Sequence, residues 1–428
     1  MKLQERGRGK YRPAPNPEIS EIRSLLLEKI HEEKKQYFIN GSQDDLKLEN
    51  LTYEEKKCNV LSLFSGAGGL DLGLELAGLD VIFGQNKVNE LFQDKETFNS
   101  FRDEGIFHHV YANDIFNEAL ETYKKNFPET VFTHNCDIRK VYNFPSEDKI
   151  DILVGGPPCP GYSAAGPRLI DDPRNFLYLH YIRALMQVQP KFFIMENVKG
   201  MLTLGKGEVF KQIKQDFEAT GYRIYPHLVN ARDYGAPQIR ERIFLIGVRD
   251  DIEDFGYDDP PIPTHGTGPN LMPFVTLRDA IGDLEKNPGD VFEGSYSSIF
   301  MSRNRKKSWD EQSFTIQASG RQAPIHPGGL PMKKIGKDQW IFPDGEENNR
   351  RLSVKEIARI QTFPDWYEFS DGKNSLISKN GRLDKVYKQI GNAVPVQLAR
   401  AIAKPIAEYL HMEVQKKEEV LVAQEKTS

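Results

Sequence analysis

Val60-Leu-Ser-Leu-Phe64 runs directly into Ser65-Gly-Ala-Gly-Gly-Leu70, and Leu72, Leu74 and Leu76 follow. An apolar run that stops at glycines and then turns amphipathic reads as a buried strand, a tight turn and a helix. The same reading extends downstream. DILVGG (151–156), KFFIMENV (191–198) and RIFLIGV (242–248) are further buried-strand candidates, with helical patterns between them at 115–126, 175–188 and 207–219. Strands alternating with helices predict an α/β fold whose mostly parallel sheet is covered on both faces.

Upstream, Asn16-Pro17 reads as a helix cap and first helical residue. Ile19, Ile22, Leu26 and Ile30 then predict one packing helix running to about Phe38. Downstream, the acidic, Pro/Gly-rich stretch 249–270 breaks the alternation and predicts a domain boundary. The chain is therefore expected to divide into an N-terminal extension (1–56), a main domain (57–249), a smaller irregular segment (250–349), a helical return (350–412) and a charged tail (413–428).

Composition excludes several classes. Of 428 residues, 39% are hydrophobic and a further 34 are glycine, which is enough for a sizeable core. There is no apolar run of about 18 residues, so no membrane partner is expected. The basic N-terminus has no apolar stretch behind it, so no signal peptide is read. The three cysteines, Cys58, Cys136 and Cys159, are far apart without a CxxC pair. This spacing fits a reducing cytoplasm and predicts no metal site. The net charge is −5, so a nucleic-acid partner would have to meet a local basic surface. Such a cluster occurs at Arg303, Arg305, Lys306 and Lys307, followed by Arg321, Lys333, Lys334 and Lys337.

Four constellations are able to carry chemistry. The glycine turn at 64–70 lacks the third glycine of a dinucleotide fingerprint, since Asp71 stands there, and no Walker lysine follows. A ligand without phosphates, such as S-adenosylmethionine, suits it; the plain alternative is a bare strand-to-helix turn. Gly155-Gly-Pro-Pro-Cys159 ends a buried strand, with glycines 161 and 166 behind it. A cysteine on so stiff a turn is a nucleophile candidate, or else a small buried hydrophobe. Met195-Glu-Asn-Val198 ends the next strand, so Glu196 and Cys159 would share a cleft if the strands are neighbours. Gln238, Arg240 and Arg242 fall at even spacing on the way into a strand; they read as an anion clamp or a solvated edge.

Taken together, FSGAGGLDLG, PPC, ENV, QIRER, RLSVKEIARIQTFPD (351–365) and QIGNAVP (389–395) occur in the order of the C5-cytosine DNA methyltransferase family, which this chain resembles over about 57–250 and 350–410. The resemblance implies a Rossmann-like S-adenosylmethionine-dependent methyltransferase sheet and a target-recognition domain at 250–349. It makes Cys159 the nucleophile attacking C6 of a flipped cytosine and Glu196 the partner and proton donor of N3. Arg242 would bind O2, with Arg240 supporting the loop and phosphates. For the cofactor it implies Phe64, Gly66, Gly68, Leu70, Asp137, Ile138, Pro158, Leu177 and Asn392. About 25 residues (84–109) intervene before YANDIF, so the ribose-binding acid is assigned to Asp114, with Glu90 as rival. Pro160 replaces the usual Gln or Asn after the nucleophile. Ser163, Gln238, Arg303, Arg305 and Thr315 are the expected DNA contacts. The expected partner is double-stranded DNA, bound by a monomer in the cytoplasm. A cognate restriction endonuclease would act on the same site without forming a stable complex. Methylation of transfer RNA by the same fold, and a non-catalytic DNA-binding homologue, are the competing readings.

Overall fold

The computed structural model describes residues 18–37, 51–145, 148–158 and 177–425, with side chains as far as residue 416. Its centre is a seven-stranded sheet in the order β3-β2-β1-β4-β5-β7-β6. The strands are β1 (Cys58–Leu63), β2 (Phe107–Asp114), β3 (Phe132–Asn135), β4 (Ile152–Gly155), β5 (Phe192–Val198), β6 (Tyr222–Asn230) and β7 (Glu241–Arg249). β7 alone runs against the direction of the other six strands. The chain order reverses between β1 and β4, and in open α/β sheets that switch point opens a crevice beyond the strands' carboxyl ends.

β1, β4 and most of β5 are buried on both faces, which explains why they read as unbroken apolar runs. β6 alternates instead and tolerates Pro226, because it is the edge strand and one side of its backbone has no partner. β2, β3 and β6 carry no continuous apolar run, so no local pattern marks them as strands.

The helices cover both faces. α1 (Ile19–Tyr37) buries Ile22, Leu26 and Ile30 against the core, whereas Ile19, the first of the four expected on that face, is exposed at the start of the helix; the expected cap at Asn16-Pro17 lies outside the described residues. α2 (Gly69–Phe83) follows β1. The segment that separates it from β2 forms two short helices, α3 (Gln85–Leu91) and α4 (Lys95–Arg102), and ends where β2 begins at Phe107. α5 (Asn117–Asn126), α6 (Leu177–Val188) and α7 (Glu208–Glu218) match the three predicted helical stretches to within two residues.

Beyond β7 the chain holds a short helix α8 (Leu277–Ile281), a two-stranded ribbon of β8 (Lys333–Gly336) and β9 (Gln339–Ile341), and a small apolar cluster around Phe300, Ile325, Met332 and Phe342. It then returns through α9 (Val354–Ile360), α10 (Lys379–Asn392) and α11 (Val396–Glu425). α11 lies directly on α2. A Cβ on Gly73 would come within 2.3 Å of the Ala399 Cβ, so glycine permits this approach. Arg400 then pairs with Asp80 across the same contact, both nearly excluded from solvent.

Candidate active site

A cavity of about 480 Å³ opens at the carboxyl ends of β1, β2, β4 and β5. One half of it is the turn after β1. Phe64 (φ 54°), Gly66 (φ 55°) and Gly68 (φ 78°) all adopt left-handed backbone conformations. No atom lies within 4 Å of the Cβ position on Gly66, so this turn is open to a ligand. Gly68 faces the other way, where a Cβ would strike Phe127 at 2.4 Å. Asp114, at the end of β2, closes the turn by accepting hydrogen bonds from the Gly66 N–H (2.9 Å) and the Phe116 N–H (2.8 Å). Burial pushes its carboxyl above the ordinary range, and those two N–H groups and Lys388 offset part of the rise. Phe64, Gly66, Leu70, Asp114, Pro158 and Asn392 all line the cavity.

The other half lies across the switch point. Glu196 and Arg242 project from neighbouring strands β5 and β7, and Arg242 Nε sits 2.8 Å from Glu196 Oε1. The Cβ position of Gly156 is 3.1 Å from Glu196 Oε2, so a larger residue there would displace the carboxylate. Asn197 Nδ2 donates to Pro157 O (3.1 Å), tying the end of β5 to the Pro-Pro turn. That turn leads to Cys159, which, like Ser163, lies outside the described residues. The strands that carry Glu196 and Gly155-Gly156 are neighbours, as the shared cleft requires.

Several expected residues sit elsewhere. Arg240 is 1% exposed, which corrects its expected role at phosphates. Its guanidinium donates to Ile316 O, Gly391 O and Ala393 O at 2.9–3.2 Å, so it lines the cavity as a positioning residue whose Nη groups are held by the protein's own carbonyls. Burial, with the like charge of Arg242 adding to it, draws its pKa well below the ordinary arginine value. Gln238 is fully buried and donates to Gln361 Oε1 and Ile360 O, so it cannot reach DNA. It also precedes β7 and does not share a strand face with Arg242. Arg305 is likewise buried, held by Phe300 O and Gln322 Oε1 over the Phe300 ring. Lys306 from the same basic run is buried on Asn349. Arg303 and Arg321 remain exposed, and Thr315 donates to Ile239 O (2.7 Å) beside the entry to β7.

Ile138 is 3% exposed within the main core, not on the cavity. Asp137 caps the turn beyond β3, where Arg139 engages its carboxylate; it, Gly68 and Leu177 do not line the cavity. Glu90, the rival to Asp114, pairs with Lys87 on the exposed surface of α3. Sequence reading missed Ile115, Phe116 and Lys388, which do line the cavity. Ile115 is a large hydrophobe left 68% exposed directly after Asp114. Lys388 Nζ stands 4.5 Å over the Phe116 ring.

Among the described residues, no group of three or more His, Cys, Asp or Glu side chains is arranged to hold a metal ion, and no helix is long and apolar enough to cross a membrane. The family described as C-5 cytosine-specific DNA methylase matches residues 58–408. The chain is 63% identical to the Type II methyltransferase M.BspRI of Lysinibacillus sphaericus, over 96% of this chain and 95% of that one. It is 62% identical to the Type II methyltransferase M.BsuRI of Bacillus subtilis, over 96% and 92%. Among solved structures, the Entamoeba histolytica methyltransferase EhMeth shares the fold at a TM-score of 0.55 and 18% identity, over 83% of this chain and 99% of that one. With most of its length matched by the family and nearly all of it by these relatives, the chain belongs to the C-5 cytosine-specific DNA methylases and is a DNA cytosine-5 methyltransferase.

Proposed function

We propose that this enzyme methylates C5 of a cytosine flipped out of a specific site in duplex DNA, with S-adenosylmethionine as methyl donor. The observation that carries the reading is one cavity with two chemically distinct halves, the open Gly66 turn with Asp114 and the Glu196–Arg242 pair. The first half fits S-adenosylmethionine. It offers a half-buried acceptor for the ribose hydroxyls, an apolar Ile115–Phe116 surface, and a glycine turn without a phosphate-binding lysine. The bound cofactor would supply an electrophilic methyl group.

The protein's own residues prepare the base. C5 of cytosine is a weak nucleophile. In this reading the Cys159 thiolate adds to C6 while Glu196 delivers a proton to N3, which turns the ring into an enamine nucleophilic at C5. Arg242 holds O2 and keeps Glu196 oriented. After C5 is alkylated, a base removes its proton, the C6–S bond breaks, and the thiolate leaves. Residues 250–349 would read the target sequence, with Arg303, Arg321 and Thr315 toward DNA. The enzyme would act as a cytoplasmic monomer alongside a restriction endonuclease of the same specificity.

A duplex with 5-fluorocytosine at the target has no removable C5 proton. It should trap a denaturation-resistant protein–DNA adduct that forms only with S-adenosylmethionine present. Cys159→Ser should lose the adduct, because a hydroxyl is far less ionised than a thiol. Undiminished adduct in Cys159→Ser would overturn the assignment.

A further inference from the structure

Beneath the Gly66–Gly68 turn lies a buried charged cluster that reaches the cavity wall at Asp71 and to which the proposed reaction assigns no role. Asp71 and Glu75, one turn apart on α2, are both screened from solvent. His109 on β2 stands between them, 3.6 Å from Asp71 Oδ1 and 3.4 Å from Glu75 Oε1. Arg102, the last residue of α4, grips Glu75 through Nε (2.9 and 3.0 Å) and Nη2 (2.5 Å), and donates from Nη1 to Asn126 O (2.6 Å). Burial pushes the Glu75 carboxyl up, but Arg102 and His109 more than offset this and hold it below its ordinary value.

The same guanidinium covers the Phe127 ring at 4.8 Å. Phe127 stacks on Tyr123 at 3.9 Å, and Tyr123 donates to Asp71 Oδ1 (3.0 Å). Phe127 also fills the space against Gly68 that a Cβ would need. A second path reaches the turn from the C-terminal return. Trp366 donates to Phe92 O (2.9 Å) and packs against Phe98, both in the α3–α4 insertion. The adjacent Tyr367 hydroxyl donates to Ala67 O. Both paths end on residues 67–68 and both begin at the insertion.

We infer that Arg102 is a positioning residue for the cofactor turn, and that the 84–106 insertion serves to deliver it. The inference rests on the reading of that turn as the S-adenosylmethionine site. Arg102 acts by neutralising Glu75 and by clamping Phe127 beneath Gly68. Without it, a carboxylate remains buried without its cationic partner one turn below the turn, and α2 must shift to hydrate it. The residues touching the flipped base lie across the cavity and are untouched by this shift.

The test is calorimetric binding of S-adenosylhomocysteine to the free full-length enzyme, well below its melting temperature, with steady-state kinetics beside it. Arg102→Leu should weaken binding by about tenfold or more and raise KM for S-adenosylmethionine, leaving kcat and KM for DNA within twofold. Adding Glu75→Gln to Arg102→Leu should restore affinity to within about threefold of wild type, because no buried charge then lacks its partner. Arg102→Lys keeps the charge but loses the fork and the cover over Phe127, and should fall in between; it carries the test if Arg102→Leu does not fold. Wild-type affinity in Arg102→Lys, or lowered melting temperatures with unchanged affinity throughout, would reduce Arg102 to a strut and overturn the inference alone. Failure of the wild-type enzyme to bind S-adenosylhomocysteine would overturn the cofactor reading and this inference with it.

Discussion

Arg242 Nε and Glu196 Oε1 meet at 2.8 Å across the antiparallel β5–β7 pair, with each side chain only 12% exposed. An ion pair so nearly enclosed is strongly oriented, and removing one partner strands the other. Arg242→Met is therefore expected to lower single-turnover methyl transfer by about 100-fold or more while S-adenosylhomocysteine binding stays within twofold. Arg242→Lys should recover little, because one ammonium cannot reproduce the guanidinium fork. A tenfold loss of cofactor affinity in Arg242→Met would place the residue on the cofactor side instead.

Arg240 ties its own segment to two that are distant in sequence, one at Ile316 and one at Gly391 and Ala393. Arg240→Met leaves those carbonyls without their donor and should cost about 2–4 kcal/mol, lowering the melting temperature by several degrees. The salt dependence of DNA binding should keep its slope, since a buried guanidinium neutralises no phosphate. A shallower slope with unchanged stability would restore a phosphate role.

The pH dependence of cofactor binding should follow Asp114. Its carboxyl is raised by burial, so in the free enzyme it takes a proton at higher pH than an ordinary aspartate. Accepting from ribose hydroxyls needs the carboxylate. S-adenosylhomocysteine affinity should therefore be full above the raised value and weaken as pH falls through it. Asp114→Asn should bind about tenfold more weakly at pH 8 and lose that acid limb. Titration from pH 8 to 4.5 decides the matter, and a surviving limb in Asp114→Asn would assign it to another group.

Asp216 on α7 offers a test of stability. Burial raises its pKa to about 6, against the opposing pull of the Tyr178 hydroxyl and Lys29. The folded value exceeds the unfolded one of about 3.8. The neutral form's contribution is therefore complete below about pH 3.8 and is lost as pH rises through about 6. Asp216→Asn keeps an acceptor for Tyr178 without the charge. It should stabilise the protein by about 1–3 kcal/mol at pH 8, with the gap closing as pH falls toward 4. A denaturant series at several pH values measures this; equal stability at pH 8 would contradict it.

How far the sequence could be read depended on whether a signal was local. β1, β4 and β5 are buried on both faces, so their apolar runs identify them directly. The polar residues of FHHVYAND conceal β2, because His109 and Asn113 are buried through partners that the segment does not itself contain. The Gly66 turn was legible, since a left-handed backbone after a strand favours glycine, although Phe64 in the same turn adopts it too. Evenly spaced Gln238, Arg240 and Arg242 suggest a single face, but Gln238 is fully buried away from the cavity, Arg240 spends its Nη groups on backbone carbonyls, and Arg242 is the one of the three that pairs with Glu196.

The sequence by itself determined the family, the alternation that builds the sheet, and the motif residues at its carboxyl ends. These rest on backbone preference and on periodicity over a few residues. Only the tertiary structure decided which charges are interior. Arg303 and Arg305 are two residues apart in one basic run, yet one is exposed and the other is buried over Phe300. It also set Asp114 on the cavity and Glu90 on the exposed surface, and it brought Arg102 to Glu75 and Arg240 to Ala393, 153 residues away. A buried charge persists only where a partner is supplied, and for Arg102, Arg240 and Arg305 that partner comes from beyond the local stretch of sequence.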